Sequence, residues 1–265
     1  MPYWTGMVLA GQLLAAAMQV GAIWAQEGVM HEGQPAVRVS TPAATWIYHT
    51  EGAGFGSLLD RDGRDWISWR PGARSAGEFR GIPNLGAVAH PGYTGERGAK
   101  TSIGPSEAGS VRLRSVSADR RWEMTWDVRA DRADLTIDNA GEPYWFLYEG
   151  TPAGRLHIDK GYWGLPDGVR RSPRETWDRD IEGREWVYFG DADSPRVLLL
   201  VNHQDDSAND QFWQMEGNMT VWGFGRQYRC CGRYLTATPA RYTVRLVESA
   251  DFPKIKAAAE EILAQ

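Results

Sequence analysis

The feature that most constrains this chain is a strict alternation of apolar and polar residues along many short segments. The clearest example runs from Trp122 to Val128, where Met124 and Trp126 are also apolar and the residues between them are charged or polar. A period of two places the apolar side chains on one face of a β-strand. Two more segments alternate in the same way: Ala133, Leu135 and Ile137, and Tyr242, Val244 and Leu246. The chain is therefore predicted to fold mainly as β-sheet.

The remaining elements agree with an all-β antiparallel sandwich. The unbroken apolar run Val197–Val201 predicts a strand buried on both faces, and Asp62-Gly63 predicts a tight turn. Only the C-terminal tail predicts a helix, which Asp251 caps and in which Pro253 occupies the first turn. Further strands are predicted at Thr45–Thr50, Phe55–Asp60, Trp66–Trp69, Tyr144–Glu149, Trp186–Phe189 and Met219–Phe224.

The N-terminal segment predicts export. Residues 1–26 carry no charged side chain, and Met7–Ala25 is mostly apolar. We interpret residues 1–25 as a secretory signal peptide, with a single membrane anchor as the alternative. The expected product is a secreted or periplasmic protein, free of the membrane after cleavage, with one domain at residues 28–265.

Charge and cysteine content narrow the functional classes. The net charge is −5 and no block of basic residues is present, so nucleic acid is not an expected partner. The only cysteines, Cys230 and Cys231, are adjacent, so they are expected to be loop thiols and no disulfide framework supports the fold. The chain has 13 Trp residues. About half are expected in the core, and the others are suited to stacking on sugars.

The segment from Gly52 to Trp66, GAGFGSLLDRDGRDW, resembles the opening of galactose-mutarotase-like sandwiches, in which a glycine-rich strand leads into a hairpin. The whole chain also resembles uncharacterised secreted proteins of polysaccharide-degrading bacteria. The resemblance implies a mutarotase-like supersandwich, with a jelly roll as the alternative sandwich. This fold is shared by sugar epimerases and by domains of polysaccharide lyases and glycosidases. The catalytic His and Glu of mutarotases are not assigned to positions of this chain.

Two long stretches, Arg70–Ser110 and Gly150–Glu182, show almost no periodic pattern and are interpreted as functional loops. The first contains Arg80, Asn84, His90 and Tyr93. Elimination on a uronate needs a cation or amide at the carboxylate, a base for the C5 proton and an acid for the leaving oxygen. Arg80 and Asn84 suit the first task, and His90 or Tyr93 the second. The alternative is that Arg80 pairs with an acid such as Glu78 and that Asn84 and His90 only close turns.

Other candidate residues lie near strand ends. His203 follows the buried strand and is a candidate acid or base, a sugar contact or a core histidine. His49 is expected at the same mouth as Arg80. Glu149, at the end of an apolar strand, is a candidate general acid or the partner of Arg155 or Lys160. Trp163, Trp177 and Trp213 are predicted to bind sugar. No cofactor is expected, with a Ca²⁺ site at Asp205, Asp206 and Asp210 as a minor alternative.

Together these features predict a secreted carbohydrate-active enzyme. The first hypothesis is a polysaccharide lyase that cleaves a uronate-containing, anionic polysaccharide or oligosaccharide by β-elimination. A glycoside hydrolase is the alternative enzyme, with Glu149 and either Asp178 or Asp180 as its carboxylate pair. A non-catalytic carbohydrate-binding or cell-envelope module is the alternative outside enzymes.

Overall fold

The β-rich prediction is confirmed in a computed structural model that describes residues 22–106, 109–227 and 232–265. The strands are β1 Trp24–His31, β2 Gln34–Ser40, β3 Thr45–His49, β4 Gly54–Leu59, β5 Gly81–Asn84, β6 Ala99–Ser106, β7 Ser110–Ser117, β8 Glu123–Val128, β9 Arg132–Asn139, β10 Phe146–Gly150, β11 Gly161–Gly164, β12 Arg170–Arg171, β13 Trp177–Arg179, β14 Trp186–Asp191, β15 Val197–Asn202, β16 Asp210–Met215, β17 Met219–Phe224, β18 Arg226–Gln227, β19 Gly232–Arg233 and β20 Ala240–Val247. The helices are α1 Ser75–Glu78 and α2 Phe252–Leu263, with 3₁₀ turns at Gly95–Arg97 and Pro152–Gly154.

The strands form two nine-stranded antiparallel sheets that pack as a sandwich. The first sheet has the order β1-β2-β3-β4-β5-β10-β17-β16-β13, and the second has the order β12-β11-β14-β15-β20-β9-β8-β7-β6. Strands β18 and β19 pair separately as a small ribbon. The expected antiparallel β-sandwich with a C-terminal helix is therefore confirmed.

The core lies between the sheets and is rich in aromatic rings. Phe146 of the first sheet stacks on Tyr242 of the second, with ring centroids 4.4 Å apart. The predicted alternation is confirmed, because Trp122, Met124 and Trp126 are all buried while Glu123 and Thr125 between them are partly exposed. Stacked aromatic contacts of this kind add to the stabilisation that comes from the large apolar area each ring buries.

Helix α2 covers the opposite face of the second sheet. Ile255, Ala259 and Ile262 pack with Leu199 and Val201 of β15, which explains why the run Val197–Val201 is buried on both faces. The expected helix is confirmed, and Pro253 lies in its first turn. Asp251 occupies the N-cap position, but its side chain makes no capping hydrogen bond.

Three expectations about local structure are corrected. The stretch Trp66–Trp69 forms no strand, because the Asp65 carboxylate accepts the backbone N–H groups of Leu58, Ile67 and Ser68 and holds a compact turn instead. The presumed loop Arg70–Ser110 contains β5 and β6, and the presumed loop Gly150–Glu182 contains β11, β12 and β13. Strands β5, β11, β12 and β13 have four residues or fewer, so their side chains give little alternation.

The segment around His90 and Pro91 lies directly on the first sheet, on the face away from the core. A Cβ atom at Gly54 or Gly81 would lie within 3 Å of Pro91 Cδ, so only glycine permits this approach. The His49 ring, on the same face, bonds the carbonyl oxygen of Pro91 at 2.7 Å. We call this covered surface the outer face of the first sheet.

The N-terminal strand begins earlier than the expected domain boundary. Trp24 and Ala25 already pair with Ser40 and Val39, four residues before position 28. Most of the predicted signal peptide, residues 1–21, and both cysteines, Cys230 and Cys231, lie outside the described residues. Among the described helices, none is both long and apolar enough to cross a membrane.

Candidate functional site

Strand β10 delivers an acidic side chain to the outer face of the first sheet. Phe146 and Tyr148 point into the core, where they contact Tyr242 and Phe189. Successive side chains of a strand alternate between faces, so Leu147 and Glu149 point outward. Glu149 is nevertheless only 3 % exposed, because neighbouring loops cover this face.

Glu149 is held by an amide from the adjacent strand. Strands β5 and β10 pair so that Leu147 faces Asn84 and Glu149 faces Gly81, and Asn84 Nδ2 donates a hydrogen bond of 2.8 Å to Glu149 Oε2. Burial raises the pKa of Glu149 to about 7, although the Asn84 bond and the Arg226 charge both favour ionisation. A carboxyl group of this kind can both accept and release a proton near neutral pH.

Arg226 lies beside Glu149, between two indole rings. Its guanidinium carbon is 4.6 Å from the ring centroid of Trp145 and 4.2 Å from that of Trp213. Burial lowers the pKa of Arg226 to about 10, while Glu149 opposes that shift. The side chain therefore remains a cation at neutral pH, and the two rings hold its plane in a fixed position.

Tyr93 completes this group from the covering segment. Its hydroxyl donates to the carbonyl oxygen of Gly86 at 3.2 Å, and Arg97 packs over its ring at 4.4 Å. Burial raises the pKa of Tyr93, and the charge of Arg97 partly counteracts this. The charge of Glu149 also raises the pKa of Tyr93, whereas that of Arg233 lowers it. Tyr93 is thus a protonated hydroxyl close to Glu149. We call Asn84, Tyr93, Glu149 and Arg226 the outer-face cluster.

The rim of the cluster carries further polar groups. Arg233 bonds Glu142 at 2.8 Å and lies 5.9 Å from the ring centroid of Trp145. Gln211 is buried on β16, two strands from β10 in the first sheet, and its Oε1 has no hydrogen-bond partner within the described residues. A buried amide oxygen without a partner is unusual in a folded protein and is available to a ligand donor.

Arg80 does not join this cluster. Its guanidinium donates to the backbone carbonyl oxygens of Ser68 at 3.0 Å and Asn218 at 3.1 Å. It does not pair with Glu78, whose carboxylate accepts the N–H of Gly72 instead. The expected role in neutralising a uronate is therefore corrected, because the two carbonyl groups already engage the guanidinium fork and tie two segments together.

His90 and His49 are also committed to internal hydrogen bonds. His90 is 2 % exposed; its Nε2–H donates to the Phe79 carbonyl oxygen and its Nδ1 accepts from Gly92 N–H. With both ring nitrogens used, it has no lone pair free to act as the expected base. His49 lies on the outer face, where it is buried between Pro91 O and the ring of His31. Burial lowers the pKa of both His49 and His90 to about 4.

His203 lies on the other sheet. It follows β15, and its Nε2 bonds Thr243 Oγ1 of β20 at 2.9 Å. Burial and nearby Arg241 lower the pKa of His203 to about 4. Because β15 and β20 belong to the second sheet, the structure does not bring His203 together with Asn84 and Tyr93, and its expected catalytic role is corrected.

The three tryptophans predicted to bind sugar differ in position. Trp163 is a core residue, 1 % exposed and stacked on Phe212 at 4.4 Å, so it has no face free for a sugar. Trp177 is partly exposed, but Arg179 packs over its ring at 4.0 Å. Trp213 is partly exposed and borders the outer-face cluster through its contact with Arg226.

A second group of carboxyl groups lies where β15 ends and β16 begins. Burial raises the pKa of Glu185 to about 8 and holds the pKa of Asp210 well above its usual range. Asp210 accepts the backbone N–H groups of Gly225 and Ile181, and Glu185 accepts that of Asp206. These bonds fix the segment between the strands.

The Ca²⁺ alternative is corrected by the same geometry. Asp205 is exposed, whereas Asp210 is buried and bonds backbone N–H groups. Within residues 22–106, 109–227 and 232–265, the only His, Asp or Glu side chains whose ligand atoms converge as a metal-binding set are His157, Asp191 and Asp193.

Sequence reasoning missed Arg226 and Trp145. Arg226 follows Gly225, a glycine with a φ of 65° that turns the chain directly after β17. The sequence signal for Arg226 was its position directly after a glycine at the end of a predicted strand. Trp145 precedes β10 on the same side as Leu147 and Glu149, and the alternation of that strand was sufficient to indicate this.

Two nine-stranded antiparallel sheets, with a helix on the outer surface of one of them, form an antiparallel supersandwich. No family model matches the sequence, and no curated protein matches it. Among solved structures, HI1317 is similar with a TM-score of 0.55 at 15 % identity, covering 82 % of this chain and 94 % of that one. The expected resemblance is thus confirmed for the fold alone.

Two weaker similarities have sugar-related names. A candidate mutarotase (YeaD) from Salmonella typhimurium matches with a TM-score of 0.49 at 13 % identity, covering 80 % of this chain and 90 % of that one. A bacterial glucoamylase complexed with acarbose matches with a TM-score of 0.40 at 8 % identity, covering 93 % of this chain and 37 % of that one. A shared fold at such identities does not fix a reaction.

Proposed function

We propose that the protein is a carbohydrate-active enzyme whose active site is the outer-face cluster, and that it cleaves a uronate-containing glycan by β-elimination. The observation that supports this most is the arrangement of Glu149: a buried carboxyl group held by Asn84 and placed beside the cationic Arg226. Abstraction of the proton next to a carboxylate requires a base close to that proton and a positive charge close to the carboxylate.

Each residue of the cluster has its own role in the proposed reaction. Arg226 pairs with the C6 carboxylate of the uronate, since a planar guanidinium binds a carboxylate in two parallel hydrogen bonds. Ionised Glu149 takes the C5 proton, the C4–O4 bond breaks and a C4–C5 double bond forms. Tyr93 gives its hydroxyl proton to the departing O4 oxygen, which becomes the anomeric hydroxyl of the leaving sugar. Exchange with water then returns a proton to Tyr93 and removes one from Glu149.

The positions of the strands argue against a hydrolase that uses Glu149 with Asp178 or Asp180. Strand β13, which carries Asp178, is three strands from β10 in the first sheet. Strands are about 4.8 Å apart, so the backbones are separated by roughly 14 Å. Carboxylate pairs in glycosidases are only ~5–9.5 Å apart.

We also propose that the enzyme acts outside the cytoplasm, as a secreted or periplasmic protein. The uncharged, apolar residues 1–25 support this. The partner is then an extracellular polysaccharide or oligosaccharide, and a uronate polymer is favoured because Arg226 belongs to the cluster and Arg233 borders it.

The test is a panel of uronate and neutral polysaccharides incubated with purified protein. Ultraviolet absorbance of the new conjugated double bond and release of reducing ends are followed together. We expect both signals on a uronate polymer, their loss in Glu149→Gln and their retention in the exposed-site control Glu27→Gln. Reducing ends without ultraviolet absorbance would instead indicate hydrolysis, and binding without turnover on every glycan would indicate a non-catalytic module.

A further inference from the structure

A second cluster of donor atoms lies where β14 ends and the chain enters β11. Asp191 is the last residue of β14 and pairs with Gly161, the first residue of β11. Gly161 N–H donates to the His157 carbonyl oxygen at 2.7 Å, which folds the chain back and brings His157 to Asp191. Two paired strands therefore set the separation of these side chains.

The side chains of this turn converge. His157 Nδ1 is 2.5 Å from Asp191 Oδ2, and Asp191 is only 1 % exposed. The other oxygen of Asp191 accepts the backbone N–H of Asp193 at 2.7 Å, which turns the Asp193 carboxylate toward the same point. One ligand atom from each of His157, Asp191 and Asp193 lies within 4.8 Å of the others.

The surroundings provide access to the three side chains and space for one water. A cleft of about 350 Å³, lined by Arg64 and Arg155, opens over His157, Asp191 and Asp193. An internal cavity of about 10 Å³ is also lined by His157 and Asp191, which is about the space that one water occupies. His157 Nε2 is buried and has no partner within the described residues.

We propose that His157, Asp191 and Asp193 form a binding site for a divalent metal ion of the zinc, cobalt or manganese class. One imidazole and two carboxylates are the nitrogen and oxygen donors that these ions take, whereas Ca²⁺ prefers oxygen ligands alone. Three protein ligands leave a position open to the cleft. The His157 ring nitrogen that does not bind the metal can bond a water in the small cavity, as the outer contacts of metal-bound histidines require.

The charge of the site is balanced when the ion is bound. Two carboxylates offset a divalent cation, and His157 binds as neutral imidazole. Lys160 Nζ donates to Asp193 Oδ2 at 2.6 Å and would compete with an ion for that ligand. Arg64 instead bonds the backbone carbonyl oxygen of Asp193, which orients the turn without occupying the carboxylate.

This site is separate from the outer-face cluster. Strands β11 and β14 belong to the second sheet, whereas Glu149 and Asn84 belong to the first. Binding of the ion joins the start of β11 to the end of β14. The metal-site proposal can therefore be tested independently of the β-elimination reaction.

The test is titration of metal-stripped, untagged protein with Co²⁺, Zn²⁺ and Ca²⁺. Because thiols also bind zinc and cobalt, the background is the Cys230→Ser, Cys231→Ser double variant. We expect one Co²⁺ per chain, a visible cobalt spectrum unlike that of the aqueous ion, and a melting temperature that rises with Co²⁺ or Zn²⁺ concentration. Ca²⁺ should produce neither effect.

Variants identify the ligands. His157→Gln and Asp193→Asn should each weaken Co²⁺ binding by more than ~100-fold, beyond the effect of outer contacts. Asp159→Asn, which alters an exposed carboxylate paired with Arg174, should bind as the parent does. Lys160→Met should bind more tightly. If His157→Gln does not fold, the exposed-site variant Asp193→Asn decides.

Three outcomes would overturn the proposal. One is a cobalt spectrum identical to that of the free ion, and another is unchanged affinity in Asp193→Asn. The third is a Lys160→Met variant that binds no more tightly than its parent, since this would show that Asp193 is not a ligand.

Discussion

Replacing Glu149 with glutamine should make the protein more stable at alkaline pH while abolishing its activity. Burial raises the pKa of this group from 4.5 to about 7, so the folded state holds the proton more tightly than the unfolded state does. Below about pH 4.5, Glu149 is protonated in both the folded and the unfolded state. As the pH rises through about 7, ionisation of this group favours the unfolded state, so the free energy of unfolding falls. The loss is about 3 kcal/mol, since each pKa unit corresponds to ~1.4 kcal/mol.

The assay is urea unfolding of the parent and Glu149→Gln between pH 4.5 and 9. The variant should match the parent at the acidic end and exceed its free energy of unfolding by about 3 kcal/mol above pH 8, with a melting temperature higher by roughly 6–12 °C. Turnover of the parent should rise as Glu149 ionises near pH 7 and be absent in the variant. The control Glu27→Gln changes an exposed carboxylate on β1 and should leave both profiles as they are in the parent. Equal pH dependence of stability in Glu149→Gln and the parent would refute the assigned burial of this carboxyl group.

Four further substitutions test the surroundings. Arg226→Lys should lower turnover on a uronate polymer by about 10²-fold without preventing folding, because an ammonium cannot reproduce the guanidinium fork; initial rates measure this. Arg80→Ala should lower the free energy of unfolding by ~1–3 kcal/mol through loss of its two carbonyl contacts, while the folded variant keeps its specific activity. Unchanged stability with lost activity would instead indicate that Arg80 acts in the active site. Trp163→Ala should destabilise the fold by ~3–5 kcal/mol in urea titrations, with oligosaccharide affinity unchanged. Glu185→Gln should raise stability above pH 8 and not at pH 4.5, because burial raises the pKa of Glu185 to about 8; a flat difference across that range would count against it.

The regular parts of the fold were predictable because their signals are local. The alternation from Trp122 to Val128, the apolar run Val197–Val201 and the amphipathic tail each report a buried face within a few residues. Strand β5 was not predictable in this way. It has four residues, two of them Gly and Pro, and it exists because β4 and β10 pair with it.

The candidate site was only partly predictable. Asn84, Tyr93 and Glu149 were selected from the sequence, and they are now found close to one another. Arg80, His90 and His203 were selected by the same reasoning, but their polar atoms bond Ser68, Phe79 and Thr243 instead. Residue type and loop position alone did not separate these two groups.

By itself, the sequence determined that this chain builds antiparallel sheets with a terminal helix, and which side chains face inward on strands with clear alternation such as β8, β9 and β20. Periodicity is a property of neighbouring residues, so it survives without knowledge of the rest of the chain. Tertiary structure decided which polar groups remain available for chemistry. Asn84 and Glu149 are 65 positions apart and meet only because β5 pairs with β10. The raised pKa of Glu149 also arises only when other segments exclude water from it.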